Sequence, residues 1–329
     1  MNIKDLAESL FSMAGKAQSI AITTHHESDG DGMVTAFALQ HLLLNEGYSS
    51  CIVSDNEDLS QYDFLKMPRM ICPYTQDMHY DLVIVVDCNS YNHLGQREGF
   101  LKAAPKVAVI DHHILLHEPI RADLAYVDTA FASVGALFFR AFEQQISRLS
   151  LEEKRYIAEC VYVTLINDTN NFVNANTDAE VFRLAADLVK LGARPHQLYM
   201  DFKENRSVGE MLYVGHTLST IELLHEGQIL FLHSNIDLKQ KCSVEPADIE
   251  QPTRYVQGVR GLAAIVYFRE DKPGLWKLSL RSLNLNVQEI AVKFNGGGHR
   301  QAAGCRITGS LSEVKALMLQ ELSAAIAKQ

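Results

Sequence analysis

Four short motifs in the first half of the chain combine carboxylates with histidines. A mixed set of carboxylate and imidazole donors suits Mn²⁺, Fe²⁺, Co²⁺ or Zn²⁺ better than Ca²⁺. Two such ions bridged by a hydroxide can drive in-line displacement at phosphorus. The residues that could perform this chemistry are His25, Asp29, Asp31, Asp87, Asp111, His112, His113 and Asp168.

Four of these carboxylates can share one cleft only if cations accompany them. Two carboxylates about 4 Å apart repel each other by about 4 kcal/mol at an effective dielectric constant of roughly 20. Two divalent ions would balance four carboxylates, and neutral His25 and His112 would complete their coordination. A lone Asp-x-Asp is usually a turn or a helix cap, and a lone His-His pair usually lies in a core or on the surface. The motifs together favour a dinuclear metal site formed with Asp29, Asp31, Asp87 and Asp168.

A second cluster, residues 295–299, lies near the C-terminal end and contains three consecutive glycines followed by a histidine. Consecutive glycines allow backbone N–H groups to point into one concavity and to approach an anion closely. A plain flexible loop is the alternative for the glycines alone, and Arg281 alone could be a solvated charge at a strand end. Together they favour phosphate binding by Arg281, Gly296, Gly297, Gly298 and His299.

The elements that must position the acidic motifs alternate between strands and helices. Residues 81–87 and 106–111 are continuous apolar runs, which are typical of parallel strands covered on both faces. An open parallel sheet binds its ligands beyond the carboxyl ends of its strands, where three of the motifs fall. We therefore predict an α/β fold whose mostly parallel sheet is flanked by helices. The predicted strands are 19–24, 81–87 and 106–111, and the predicted helices are 33–44, 129–147, 151–166 and 177–191.

The length of 329 residues is about twice that of a usual single domain. A more polar helical pattern follows the first α/β part, and after Gly227 the pattern changes to strands and two helices around the glycine loop. We predict a catalytic domain over residues 1–191, a helical connector over 192–226, and a smaller α+β domain with a mixed sheet over 227–329.

Charge is divided unevenly along the chain, whose net charge is −10. Residues 229–329 carry 13 Lys and Arg against 9 Asp and Glu, whereas residues 1–228 carry 17 against 31. An acidic body repels a long polyanion, so long duplex nucleic acid is not expected as a partner, while the C-terminal part could hold a short anionic ligand. No apolar run approaches the ~20 residues of a membrane helix, and the N-terminus does not read as a signal peptide. Six scattered cysteines without a CxxC pair favour the reducing cytoplasm.

The motifs HHESDGD, VVD at 85–87, VIDHH, NDTNNF and GGGHRQAAG occur in this order along the chain. They resemble the ordered motifs of the DHH phosphoesterase family, including its C-terminal DHH-associated domain. The resemblance covers essentially the whole chain. The length and the short connector are similar to those of the bifunctional oligoribonuclease and pAp phosphatase group, sometimes labelled exopolyphosphatase-related.

The resemblance implies two metal ions, expected to be Mn²⁺, that share a bridging carboxylate. The implied ligands are His25, Asp29 and Asp87 for one ion and Asp31, Asp87, His112 and Asp168 for the other. His113 would face the scissile phosphate, with Asp111 orienting the histidines. The groups expected to grip the phosphates of the substrate are Arg281, Gly296, Gly297, Gly298 and His299.

The expected activity is Mn²⁺-dependent hydrolysis of short oligoribonucleotides or linear dinucleotides such as pGpG and pApA, with pAp as a further substrate. Alternatives on the same fold are a single-strand exonuclease, a cyclic-dinucleotide phosphodiesterase and a pyro- or polyphosphatase. A nucleotide-binding sensor is the non-enzymatic alternative. The expected partners are short nucleotides and a second copy of the chain in a homodimer. A membrane is not expected as a partner. Asn170-Asn171 stands where the group often has Gly-Arg, which bears on substrate preference rather than on metal binding.

Overall fold

A computed structural model describes most of the chain, which folds into two compact units, Met1–Asn205 and Arg206–Gln329. The division falls inside the connector predicted over residues 192–226, and the three-part domain boundaries stay a prediction. The side chain of His299 lies outside the described part. The described residues are 2–26, 28–55, 58–114, 118–244 and 252–328.

The first unit contains a six-stranded sheet among its described residues, and every neighbouring pair of strands in it is parallel. The strands are β1 (Ile20–Thr23), β2 (Cys51–Ser54), β3 (Ile71–Pro73), β4 (Leu82–Val86), β5 (Lys106–Asp111) and β6 (Leu124–Val127). Their order in the sheet is β3-β2-β1-β4-β5-β6. The direction of strand addition therefore reverses between β1 and β4, and a crevice opens beyond the carboxyl ends of strands at such a point.

Helices cover both faces of this sheet, as the continuous apolar strands predict. Leu82, Ile84 and Val86 pack in one core cluster, whereas Val83 and Val85 pack in another cluster on the opposite face. The parallel sheet flanked by helices is thus confirmed. The helices of the unit are α1 (Ile3–Ala14), α2 (Gly30–Asn45), α3 (Glu98–Ala103), α4 (Val134–Ala141), α5 (Glu143–Ile146), α6 (Leu151–Asp168), α7 (Ala179–Lys190) and α8 (Pro195–Lys203).

Two local features of this unit differ from the sequence prediction. The helix predicted over residues 129–147 begins only at Val134, because the Ser133 hydroxyl caps it by accepting from the Ala136 N–H. The cysteines were expected to be reduced, whereas Cys51 and Cys72 form a disulfide between the neighbouring strands β2 and β3. This pairing depends on strand neighbours 21 residues apart in sequence, which cysteine spacing does not reveal.

The second unit contains a mixed sheet, which confirms the prediction for the C-terminal part. Its strands are β7 (Glu222–Leu224), β8 (Ile229–Ser234), β9 (Ala264–Lys272), β10 (Leu275–Arg281), β11 (Gly297–His299) and β12 (Ala302–Thr308), in the order β11-β12-β10-β9-β8-β7. The β8–β9 pair is parallel and the other pairs are antiparallel. The helices are α9 (Val208–Leu218), α10 (Ile236–Cys242), α11 (Thr253–Val256), α12 (Val287–Val292) and α13 (Leu311–Ile326). None of the described helices combines the length and apolar character needed to cross a bilayer.

The glycine segment, predicted as a loop, is partly a short edge strand. Gly298 lies opposite Ala303 of β12, and a Cβ at Gly298 would fall 2.5 Å from the Ala302 carbonyl oxygen. Glycine is therefore required there because the two backbones approach so closely. Ala302 lies opposite both Arg281 of β10 and His299 of β11, so these two residues occupy one row across the sheet.

Three buried hydroxyl groups join α9 to the second sheet. The Tyr213 hydroxyl lies 2.6 Å from Ser234 Oγ and 2.9 Å from the Tyr267 hydroxyl, and the last two are 2.7 Å apart. Each hydroxyl can donate one hydrogen bond and accept another within this triangle. The triangle therefore satisfies all three polar groups without water.

We expect Tyr213→Phe to lower the free energy of unfolding by about 1 kcal/mol, because two buried hydroxyls lose a partner. Chemical denaturation followed by circular dichroism measures this change. Tyr255→Phe is the matched control. Tyr255 is 41% exposed, and its hydroxyl accepts a hydrogen bond from Arg206. Equal stability of the two variants would show that the triangle contributes nothing.

Candidate metal centre

The four acidic motifs lie at the edge of the first sheet where the strand order reverses. Asp87 directly follows β4, and Asp111 is the last residue of β5. His25 lies two residues beyond β1, and Asp29 is the N-cap of α2. Asp168 is the last residue of α6. Five motif residues from distant parts of the chain therefore arrive at the ends of elements rather than within them.

Among the described residues, three sets of side chains place their ligand atoms within 4.8 Å of one another. The sets are His25, Asp29 and Asp87; Asp31, His112 and Asp168; and Asp87, His112 and His113. Asp87 and His112 each belong to two sets, so the seven side chains form one continuous cluster. The structure thus brings together all six residues whose role as metal ligands the sequence predicts.

Asp87 occupies the centre of the cluster. Its Oδ2 lies 3.6 Å from His25 Nε2, and its Oδ1 lies 3.6 Å from His112 Nε2. The two carboxylate oxygens therefore face two different histidines, as a bridging ligand would. Asp87 has a φ of 60°, which an L-residue adopts at a cost of the order of 1 kcal/mol or more. The turn after β4 thus holds a strained backbone that aims this carboxylate into the cluster.

His112 connects Asp87 to the other two carboxylates. Its Nε2 lies 3.3 Å from Asp31 Oδ2 and 3.2 Å from Asp168 Oδ2. Its Nδ1 pairs with the Phe131 carbonyl oxygen, which can only accept, so Nδ1 carries the hydrogen and Nε2 keeps its lone pair.

Two buried atoms at the heart of the cluster, His112 Nε2 and Asp87 Oδ1, have no hydrogen-bond partner within the described part of the chain. Both are electron-pair donors and they face each other, so neither can satisfy the other. A cation would satisfy both, and imidazole with carboxylate is a donor set that divalent transition metals accept. The residues present therefore fit a metal ion.

The pKa values of the clustered side chains reflect the excess of negative charge among them. Burial raises the pKa of Asp31 well above its usual range, and the charges of Asp168 and Asp87 raise it further. Burial also raises the pKa of Asp87 to about 6. For His25, burial lowers the pKa, but hydrogen bonds to Asp29 and Asp87 outweigh this and raise it to about 10. The raised pKa values of Asp31, Asp87 and His25 show that the cleft favours positive charge, which either protons or metal ions can supply.

Asp31 is oriented by backbone groups outside the cluster. Both oxygens of Asp31 accept backbone N–H groups, from Val134 at 2.6 Å and from Gly135 at 3.1 Å. These N–H groups belong to the first turn of α4, whose N-terminal end carries partial positive charge. Asp31 is thus fixed, and its charge is partly balanced, by the start of a helix about 100 residues away in sequence.

Asp111 and Asn167 orient further members of the cluster. Asp111 Oδ1 accepts the backbone N–H groups of His112 and His113 and lies 2.9 Å from His113 Nδ1. Asn167 Nδ2 donates to Asp29 Oδ2 and to Asp168 Oδ1, each at 2.9 Å. Asn167 was missed in the sequence analysis, although a polar residue beside Asp168 at the end of an apolar helix is a usable signal.

The second unit holds the remaining predicted site residues. Arg281 is half-buried, its Nη1 donates to the Leu280 carbonyl oxygen, and burial lowers the pKa of its guanidinium. Gly297 and Gly298 are paired with β12 rather than free in a loop. The phosphate-binding role predicted for Arg281, the three glycines and His299 stays a prediction.

Residues 19–165 match the DHH family, N-terminal domain, and residues 238–328 match the DHHA1 domain. The chain therefore contains a DHH domain followed by a DHHA1 domain, and these two matches together with its relatives identify it as a phosphate-ester hydrolase.

Individual relatives agree with this assignment. The bifunctional oligoribonuclease and PAP phosphatase NrnA of Thermus thermophilus is 28% identical over 303 residues, covering 88% of this chain and 84% of the relative. The protein of the same name from Mycoplasma genitalium is 25% identical over 296 residues, covering 88% of each chain. The crystal structure of an exopolyphosphatase-related protein from Bacteroides fragilis shares the fold, with a TM-score of 0.86 at 20% identity over 96% of this chain and 95% of that one.

We expect Gly32→Ala to weaken Mn²⁺ binding by about 10-fold or more, as changes that displace metal ligands do. The added Cβ would lie 2.7 Å from Ser28 Oγ and 3.0 Å from Asp87 Oδ2, and both side chains are buried. Calorimetric titration of the metal-free protein measures the affinity. Gly99→Ala is the control, since its Cβ meets no described atom within 4 Å. Unchanged affinity in Gly32→Ala would contradict the placement of Asp87 at the metal site.

Proposed function

We propose that the protein is a phosphoesterase that uses two Mn²⁺ ions at the cluster around Asp87. One ion is held by His25, Asp29 and Asp87, and the other by Asp31, Asp87, His112 and Asp168. The observation that carries this proposal is the central carboxylate, whose two oxygens face His25 and His112 at 3.6 Å each. Four carboxylates and two divalent ions balance in charge, which supports two ions rather than one.

When bound, the ions supply an activated water as nucleophile and stabilise the charge that builds on the phosphoryl oxygens. The N–H groups of Val134 and Gly135 hold Asp31 independently of any ion, so this ligand would need little rearrangement on metal binding. The leaving oxygen needs a proton donor, and His113 is the residue proposed for this role. Asp111 fixes its Nδ1 at 2.9 Å, and the His113 side chain is 56% exposed, so its Nε2 can reach a substrate oxygen.

The proposed substrates are short oligoribonucleotides, linear dinucleotides such as pGpG and pApA, and pAp. The names of the relatives from Thermus thermophilus and Mycoplasma genitalium support this choice. The acidic first part of the chain supports a short substrate over a long polyanion. Arg281, Gly296, Gly297, Gly298 and His299 are proposed to bind its phosphates. A cytoplasmic location and a homodimer stay predictions from the sequence.

A substrate panel with Mn²⁺ tests the proposal. We expect pGpG, pApA and pAp to be hydrolysed faster than a 20-mer RNA, a cyclic dinucleotide or pyrophosphate, because the names of the relatives point to short oligoribonucleotides and pAp and the acidic first part of the chain repels a long polyanion. Initial rates by chromatography of the products provide the comparison. Faster turnover of the 20-mer would favour a single-strand exonuclease, and faster release of phosphate from pyrophosphate would favour a pyrophosphatase. Binding of dinucleotides without hydrolysis would favour a sensor.

We expect Asp87→Asn to reduce the rate on the best substrate by about 1000-fold or more, equivalent to about 4 kcal/mol of transition-state stabilisation. The substitution preserves shape but removes the charge that the two ions share. Asp123→Asn is the matched control, because Asp123 pairs with Lys106 away from the cluster. Wild-type turnover by a folded Asp87→Asn variant would exclude a bridging role.

A further inference from the structure

Arg97 is the largest side chain among the fully buried described residues, with 1% exposure. A buried guanidinium is tolerated only when carboxylates and hydrogen-bond acceptors surround it, because losing its hydration costs several kcal/mol. Neither the sequence motifs nor the proposed mechanism assigns any role to Arg97. The groups that its guanidinium contacts therefore indicate the role of Arg97.

The guanidinium of Arg97 reaches the carboxyl ends of two strands beside the metal centre. Its Nη1 donates to Thr23 Oγ1 at 2.5 Å and to the Val53 carbonyl oxygen at 3.3 Å. Its Nη2 donates to the His25 carbonyl oxygen at 3.0 Å and lies 3.1 Å from Asp55 Oδ1. One side chain thus ties β1, β2 and the backbone of a predicted metal ligand together.

The turn at His25 and His26 is held by further contacts from the same direction. The His26 N–H donates to the His93 carbonyl oxygen, and His26 Nδ1 lies 2.8 Å from Asp55 Oδ2. A Cβ at Gly95 would lie 3.0 Å from the His26 ring, and Gly95 has a φ of 58°, so both the close approach and the backbone conformation favour glycine. Residues 93–97 therefore pack against the turn at His25 and His26. Asp55 contacts both Arg97 and His26, which gives a second connection between Arg97 and this turn.

These contacts decide where the His25 imidazole points. Its Nδ1 lies 2.8 Å from the His26 carbonyl oxygen and carries the hydrogen, so Nε2 faces Asp87 and Asp29 and, in the neutral ring, offers its lone pair to a metal ion. The ring position follows from the backbone of residues 25 and 26. That backbone is held by two hydrogen bonds: Arg97 donates to the His25 carbonyl oxygen, and the His26 N–H donates to the His93 carbonyl oxygen.

We propose that Arg97 is a positioning residue that sets His25 in the metal site it shares with Asp29 and Asp87. The inference rests on the proposed two-metal function and adds to it the group that fixes one ligand. The planar fork of arginine reaches the His25 carbonyl and Asp55 at the same time. A lysine ammonium is a single point charge that can remain paired with Asp55 but does not reproduce this geometry.

The experiment is calorimetric titration of metal-free Arg97→Lys protein with Mn²⁺. The wild type should show two binding events. In the variant we expect the event at the His25 site to weaken about 10- to 100-fold, the range found when groups that orient metal ligands are changed. The other event, at Asp31, Asp87, His112 and Asp168, should stay within about twofold, because Arg97 contacts none of these four ligands. Repeating the titration in an Asp168→Asn background identifies the weakened event.

Arg69→Lys is the matched control. The Arg69 side chain is also mostly buried, and its guanidinium likewise donates to a backbone carbonyl oxygen, that of Tyr62, and to a carboxylate, that of Asp63. A general effect of replacing a buried arginine would appear in both variants, whereas a positioning effect on His25 would appear only in Arg97→Lys.

Gly95→Ala is a second variant, which disturbs the same turn without removing a buried charge and decides the question if Arg97→Lys does not fold. A selective loss of one binding event supports the inference. Equal weakening of both events, or no weakening of either, overturns it and leaves the two-metal site intact. A wild-type protein that binds no Mn²⁺ would instead overturn the proposed function itself, together with this inference.

Discussion

Repulsion among the buried carboxylates is the constraint on which the rest of this structure depends. Asp31 and Asp87 are 1% and 3% exposed, and both share the cluster with Asp29 and Asp168. The protein supplies partial compensation through the start of α4 at Asp31, the Asn167 amide between Asp29 and Asp168, and His25 beside Asp29 and Asp87. The remaining negative charge would favour the binding of the proposed divalent cations. A site assembled in this way is less stable when empty than when occupied.

The fold meets this constraint by bringing the carboxylates to the ends of elements from several directions. Because the strand order reverses between β1 and β4, the turns that carry His25 and Asp87 leave the sheet side by side. The positive φ of Asp87 and the glycine at position 32 each cost conformational free energy locally. The packing of the surrounding buried sheet and helices offsets this cost. A rigid scaffold is what makes such strain sustainable at a functional site.

The sequence identifies the carboxylates and histidines that the fold brings together, because their chemistry is carried by residue type. The parallel sheet was predictable from strands that are apolar on both faces, and the ligand grouping from carboxylates and histidines at strand ends. The edge strand Gly297–His299 was not, because glycine has a low preference for strands and the segment has no alternating pattern. The Cys51–Cys72 disulfide likewise depends on the register of β2 with β3, which local sequence does not specify.

Groups that position the donors are harder to predict for a different reason. Arg97 lies in a polar stretch, GQREG, that reads as a solvated surface, and its partners Thr23 and His25 are 74 and 72 residues away. Two of its four contacts are to backbone oxygens, which every residue possesses and no motif records. The same holds for the N–H groups at Val134 and Gly135 that orient Asp31. The side chains of the proposed metal centre are therefore visible in the sequence, whereas the main-chain atoms that orient several of them are brought into place only by the folded structure.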